Sequence, residues 1–248
     1  MGIAKGGCLA ILAGAGPMGL GAIDYALNCE PKPRMIVVTD VDQSRLDRAA
    51  KLFPVVNAQN QGIVLHFVNT SDYIDPVAYL LTLTNGDGYD DVFVYAPVNS
   101  VVEQADRILG KDGCLNFFAG PTDTGFKAEI NFYNVHYGAT HIVGTTGGNT
   151  DDMLESLALT ARQVINPAVM VTHIGGLNSV AEATLHLPDQ PAGKKLVYTH
   201  ITMDMTAISD FQKLGETDTR YKKLAEITQA NNGLWCLEAE QYLMENWK

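Results

Sequence analysis

The stretch Cys8-Leu-Ala-Ile-Leu-Ala-Gly14-Ala-Gly16-Pro-Met-Gly19, continued by Leu20-Gly-Ala-Ile-Asp-Tyr-Ala-Leu27 and answered by Arg34-Met-Ile-Val-Val-Thr-Asp40, decides the fold of this chain. The apolar run from Cys8 to Ala13 ends at glycine and reads as a strand covered on both faces. Met18, Ala22, Ile23, Ala26 and Leu27 then recur at helical spacing. A strand that turns through G-x-G-x-x-G into a helix offers backbone N–H groups and the positive end of a helix dipole to an anion. Each glycine is expected to serve a different purpose. Gly14 permits the tight turn, Gly16 the close approach of a pyrophosphate, and Gly19 the close packing of helix on strand. Pro17 and Met18 complete the loop. The second strand closes on Asp40, twenty-one residues after Gly19. That is the place of a carboxylate that hydrogen-bonds ribose hydroxyls.

Outward from this unit the pattern repeats. Apolar runs at Val64–Val68, Val92–Ala96, Cys114–Ala119 and His141–Thr145 are each short and bounded by turn residues, and amphipathic segments lie between them. The expectation is an α/β fold: a doubly wound parallel sheet of about six strands with helices on both faces, followed by a mainly helical C-terminal segment. Ser100 and Glu103 form an S-x-x-E pattern ahead of an apolar face ending at Gly110, which reads as a capped helix. Ala96, Pro97 and Asn99 follow the fourth strand, and Ala119 and Gly120 close the fifth. Ligands of open α/β sheets bind outside those ends, so these residues join the candidate contacts. Arg45 reads either as a guanidinium lying over adenine or as a solvated helix residue paired with an acid, and the sequence leaves both open. Thr150 reads as a helix N-cap with Asp151 and Asp152 in the first turn. From Asp218 the tail is helical, with a break at Asn231-Asn232-Gly233, and places Cys236, Ala239, Leu243 and Trp247 on one face.

Composition narrows the function. With 248 residues, 46% of them hydrophobic, the chain can bury a sizeable core. Its formal net charge of −11 is the wrong sign for nucleic acid or an anionic membrane. Nothing in it reads as a membrane span or a signal peptide, so a cytoplasmic location is expected. Cys8, Cys29, Cys114 and Cys236 have no metal-ligand or redox spacing, and His136 and His141 have no acidic companion in H-E-x-x-H form. No metal site and no catalytic residue are expected within the chain.

Taken together, the segments AILAGAGPMGLGAIDYAL, VVTDVDQSRLDRAAKL, DDVFVYAPVNSVVEQADRIL, GKDGCLNFFAG and HIVGTTGGNTDDMLESL, with GKKLVYTHI later, resemble the medium-chain dehydrogenase/reductase superfamily. The likeness is to its zinc-type alcohol and polyol dehydrogenases, and within these to sugar-phosphate and polyol enzymes such as the sorbose-1-phosphate reductases. The resemblance implies a Rossmann domain holding NAD, with Gly14 to Gly19 on the pyrophosphate and Asp40 and Arg45 on the adenosine. It places Tyr95, Ala96 and Ala119 along the ribose and nicotinamide and Thr145 and Thr146 at the nicotinamide edge. It further implies a homodimer joined along the strand near His141–Thr145, and a polyol or sugar phosphate as substrate. Members of that family begin with a separate domain carrying a catalytic zinc, for which this chain has no counterpart, so Met1 is expected to be an internal start. The expected division is a Rossmann domain over residues 1–145 and a C-terminal segment over 146–248. Two other readings stand beside the dehydrogenase: a module that senses NAD or NADH without catalysis, and a methyltransferase holding S-adenosylmethionine on a similar loop.

Overall fold

The computed structural model describes residues 2–144, 146–187 and 193–247. It divides into two compact units, Met1–Asn166 and Pro167–Lys248.

In the first unit six strands form one parallel sheet: β1 (Cys8–Leu12), β2 (Met35–Asp40), β3 (Val64–Asn69), β4 (Tyr89–Val94), β5 (Leu109–Phe117) and β6 (His141–Gly144). Their order is β3-β2-β1-β4-β5-β6, the doubly wound arrangement whose direction reverses between β1 and β4. All five residues of β1 are buried, as the apolar run requires of a central strand. The connecting helices are α1 (Pro17–Asn28), α2 (Gln43–Leu52), α3 (Val55–Asn60), α4 (Pro76–Leu83), α5 (Asn99–Ile108), α6 (Phe132–Tyr137) and α7 (Thr150–Ala161). One face of the sheet turns Ala10, Leu12, Val37, Val92, Val94 and Leu115 into a core shared with Leu80 of α4 and Val102, Ala105 and Ile108 of α5. Strand alternation sends Leu9, Ile11, Ile36 and Val38 to the opposite face, where they too are fully buried.

Three local expectations are corrected. The S-x-x-E pattern does not cap α5: its N-cap is Val98 with no side-chain bond, and Glu103 instead accepts from the N–H of Glu129 at 3.3 Å. Gly110 does not stop that helix either. Strand β5 starts at Leu109, and Gly110 is required within it because a Cβ there would stand 2.7 Å from the Asp87 carbonyl oxygen. The N-cap of α7 is Asn149, one residue before Thr150, in a reciprocal box with Asp152.

The second unit contains a three-stranded sheet, β8-β7-β9, from β7 (Val171–Gly176), β8 (Lys194–Tyr198) and β9 (Thr206–Ala207). Helices α8 (Val180–Leu185), α9 (Phe211–Leu214), α10 (Thr219–Ala230) and α11 (Leu237–Asn246) accompany it. Its core gathers Ile174, Phe211, Leu224, Trp235, Ala239, Leu243 and Trp247. The tail's apolar face therefore has a core of its own to bury against. No described helix is long and apolar enough to cross a membrane.

Candidate dinucleotide site

The turn from β1 into α1 lies along the carboxyl end of β2. Gly14 N–H donates to the Thr39 carbonyl at 2.8 Å, Ala13 N–H to Thr39 Oγ1 at 3.4 Å and Ala15 N–H to Asp40 Oδ2 at 3.2 Å. The left-handed residue of the turn is Ala13, with φ of 52°, rather than a glycine. Gly14 is needed for another reason: a Cβ there would meet Ile11 Cγ2 at 2.5 Å and the Ile11 carbonyl oxygen at 2.7 Å. At Gly19 a Cβ would come within 2.0 Å of the Gly14 carbonyl oxygen, so helix and turn touch backbone to backbone. Gly16 is the opposite case, since a Cβ built there meets nothing within 4 Å. The open space in front of Gly16 is where backbone can approach a ligand.

Gly16 is also the N-cap of α1, with Pro17 in the first turn, no side-chain capping bond and no acidic residue to oppose the dipole. An uncapped helix N-terminus of this kind favours a negative charge in front of it.

Asp40 is 5% exposed and closes β2. Besides Ala15, its carboxylate accepts from Val41 N–H at 2.9 Å and Asp42 N–H at 3.1 Å, both on Oδ1. The residue fastens the glycine turn to the β2–α2 turn, a role that spacing alone does not reveal. Arg45 is exposed, and its Nε lies 3.5 Å from Asp42 Oδ2. Asp42 is the N-cap of α2, accepting from Ser44 N–H, Ser44 Oγ and Arg45 N–H, and the Ser44 hydroxyl holds its carboxyl below the usual carboxylate range.

A cavity of about 980 Å³ lies between Val41, the start of α4, α5 and the segment Glu129–Asn131, and no residue of the glycine turn lines it. Val41, Thr70, Ile74, Ser100 and Val101 line one part of it, and no motif in the sequence singles them out as contacts. Val41, Ile74 and Val98 are exposed apolar side chains near strand ends, a signal visible only once the strands are assembled. The same cavity runs along α5 to Glu103, Asp106 and the segment Glu129–Asn131.

The remaining candidates follow the carboxyl ends of β4, β5 and β6. Tyr95 N–H donates to the Leu12 carbonyl at 3.0 Å, which sets Tyr95 across the switch point from β1. Its ring lies against Phe118 with centroids 4.9 Å apart, and burial pushes its hydroxyl up to about 12. Ala119 is buried, with its N–H on the Val94 carbonyl at 3.0 Å, while Pro97 and Gly120 are exposed. Ala96 is half-buried and its carbonyl accepts from Val98 N–H. Asn99 spends its side-chain amide on the Lys127 carbonyl, tying α5 to residues 127–131, a strap that leads into α6. Thr146 is exposed beyond β6, and Thr145 lies outside the described residues. The register places Leu12, Val94, Phe117 and Gly144 at one edge of the sheet, so these candidates are brought to the same end.

Residues 17–162 match the family described as zinc-binding dehydrogenase. The chain belongs to that family. It is 57% identical over 245 residues to a mannitol-1-phosphate 5-dehydrogenase of Aliivibrio fischeri, covering 99% of this chain and 58% of that protein. It is 43% identical over 244 residues to an L-sorbose 1-phosphate reductase of Klebsiella pneumoniae, covering 98% and 56% respectively. The chain therefore spans little more than half the length of the curated relatives it matches. Among solved structures it superposes on 2R,3R-butanediol dehydrogenase from Bacillus subtilis with a TM-score of 0.64 at 22% identity, over 80% of this chain and 52% of that one. That likeness concerns the fold. The family's metal is a separate matter, because among the described residues no three His, Cys, Asp or Glu side chains come together as a metal ion requires.

Proposed function

We propose that this chain is the NAD-binding part of a dehydrogenase that transfers hydride between nicotinamide and the alcohol carbon of a polyol or sugar phosphate. The observation that carries the reading is the contrast among the glycines. Gly14 and Gly19 are filled by backbone or side chain, whereas Gly16 faces open space at an uncapped helix N-terminus. Gly14, Gly16, Pro17, Met18 and Gly19 would hold the pyrophosphate, Asp40 the adenosine ribose, and Arg45 would lie beside the adenine. Val41, Ile74 and Val98 would flank the adenine. Tyr95, Ala96, Pro97, Ala119, Gly120, Thr145 and Thr146 would line the nicotinamide half, with Asn99 bracing the strap beside it. Bound NAD supplies the hydride acceptor, and the residues of this chain orient it.

Substrate class is taken from the relatives, whose names specify a mannitol 1-phosphate and a sorbose 1-phosphate activity. A catalytic zinc, where the complete enzyme uses one, would be held by residues other than those described, and hydride transfer by this chain alone is not expected. The homodimer is proposed along β6, which ends the sheet and leaves Ile142 48% exposed.

Titration of the purified chain with NAD, NADP and S-adenosylmethionine tests the reading. NAD at about 100 times its dissociation constant should stabilise the chain by about 2.7 kcal/mol. Stabilisation by S-adenosylmethionine and not by NAD would replace the dehydrogenase reading with the methyltransferase one.

A further inference from the structure

We infer that Asp42 is a second determinant of dinucleotide choice, acting by holding Arg45 away from a 2′-phosphate. The inference rests on the placement of the adenosine ribose at Asp40. A 2′-phosphate is accommodated where a cation and free N–H or O–H donors meet beside the ribose. Arg45 is the cation that the β2–α2 turn offers. Asp42 engages it at 3.5 Å, with both side chains nearly half exposed, so the guanidinium faces a carboxylate at the point where a phosphate would have to replace it.

The donors of the turn are committed in the same way. Val41 and Asp42 N–H groups go to Asp40, at 2.9 and 3.1 Å. The Ser44 N–H, Ser44 hydroxyl and Arg45 N–H go to Asp42, at 2.9, 2.6 and 3.3 Å. Two carboxylates thus divide the work. Asp40 sits where the ribose hydroxyls are expected, and Asp42 satisfies the groups that a phosphate would otherwise recruit. Replacing Asp40 alone leaves Arg45 and Ser44 occupied, so loss of NAD need not bring gain of NADP.

Asp42→Asn isolates the charge, because asparagine is as good an N-cap as aspartate and keeps an oxygen for the Ser44 and Arg45 donors. The experiment is calorimetric titration of the full chain with NAD and with NADP for wild type, D42N and the double variant D42N/R45Q. D42N should raise NADP affinity about three- to tenfold, the range expected from freeing one exposed cation and removing one like charge, with NAD affinity within about twofold of wild type. D42N/R45Q should lose most of that gain, keeping only the smaller part that comes from the removed negative charge. An NADP-to-NAD ratio unchanged in D42N, or a gain of the same size without Arg45, overturns the inference while leaving the NAD reading intact. Failure of the wild-type chain to bind either nucleotide would overturn both.

Discussion

Gly16→Ala and Gly19→Ala are the same chemical change three residues apart, and the structure gives them opposite consequences. At Gly19 the added methyl would lie 2.0 Å from the Gly14 carbonyl oxygen and 2.5 Å from the Gly14 carbonyl carbon. Ordinary contact needs well over 3 Å, so α1 or the turn must move by more than an ångström. Alanine in place of glycine within a helix contributes about 1 kcal/mol, whereas overpacking against backbone costs about 1–3 kcal/mol and sometimes more. The clash wins, and the variant is less stable without any ligand. At Gly16 the methyl meets nothing within 4 Å, and the backbone, at φ −77° and ψ 171°, is open to alanine. Loss of a favourable N-cap residue and gain from a stiffer unfolded chain nearly offset each other, leaving a change within about 1 kcal/mol. The methyl would, however, occupy the approach proposed for the pyrophosphate. Thermal unfolding with and without NAD separates the cases: G19A should melt several degrees lower in the absence of ligand, while G16A should melt like wild type and lose the NAD-induced shift. Retention of the full shift by G16A, or a wild-type midpoint for unliganded G19A, would refute the assignment of these glycines.

Asp40→Asn should lower affinity and stability together, because an amide cannot accept from Ala15 on one side and from Val41 and Asp42 on the other. The expected cost is about 1.5–3 kcal/mol in the unliganded chain with at least tenfold weaker NAD binding, and a normal denaturation midpoint with weakened binding would show that the carboxylate does not fasten the turn. Burial pushes His66, on β3, below the ordinary histidine value. The unfolded chain then takes up the proton first, so stability falls as pH drops through about 6.5. Urea midpoints for wild type and His66→Gln between pH 7.5 and 5 should converge toward the acid end, and parallel curves would dismiss this contribution. Ile142→Lys, on the outer strand β6, should convert a wild-type dimer to monomer in sedimentation. A wild-type monomer at high micromolar concentration, or an unaffected dimer in the variant, would rule out association along that edge.

The elements most legible in the sequence are those whose burial follows from their own residues. Strand β1 and helix α1 begin and end within a residue or two of the positions that the apolar run and the helical spacing indicate. The tail is legible for the same reason, with helices on either side of the Asn231–Gly233 break and Ala239, Leu243 and Trp247 buried. What escapes are side-chain contacts to a segment that carries no sequence pattern of its own. Glu103 looks like a cap because a matching serine stands three residues before it, yet its partner is the N–H of Glu129. Asn99 looks like a ligand contact because it follows a strand end, yet its amide reaches Lys127. Asp106 is buried on α5 and accepts from Asn131 N–H at 3.0 Å. Together these three side chains pin a strap whose existence no local pattern announces.

The same distinction divides the candidate site. Its pyrophosphate and ribose half comes from one continuous unit, the turn after β1 and the turn after β2, whose contacts join residues about 25 apart. A strand, a helix and a second strand are the least chain that can make such a site, so glycine spacing and a distant acid are enough to propose it. The proposed nicotinamide half is assembled from the ends of β4, β5 and β6, each delivered by a separate crossover and lying across the switch point from β2 and β3. Residues there are recognisable by position, not by type: Tyr95 enters because its N–H meets Leu12, and Ala119 because its N–H meets Val94. The proposed dinucleotide contacts thus come from one continuous unit, while the surface that a nicotinamide ring would face is built by several distant segments together. The relatives differ in that second property, one named for mannitol 1-phosphate and another for sorbose 1-phosphate. The glycine turn and its acid bear no relation to that distinction, which is why these residues point to a cofactor class far more sharply than to a substrate.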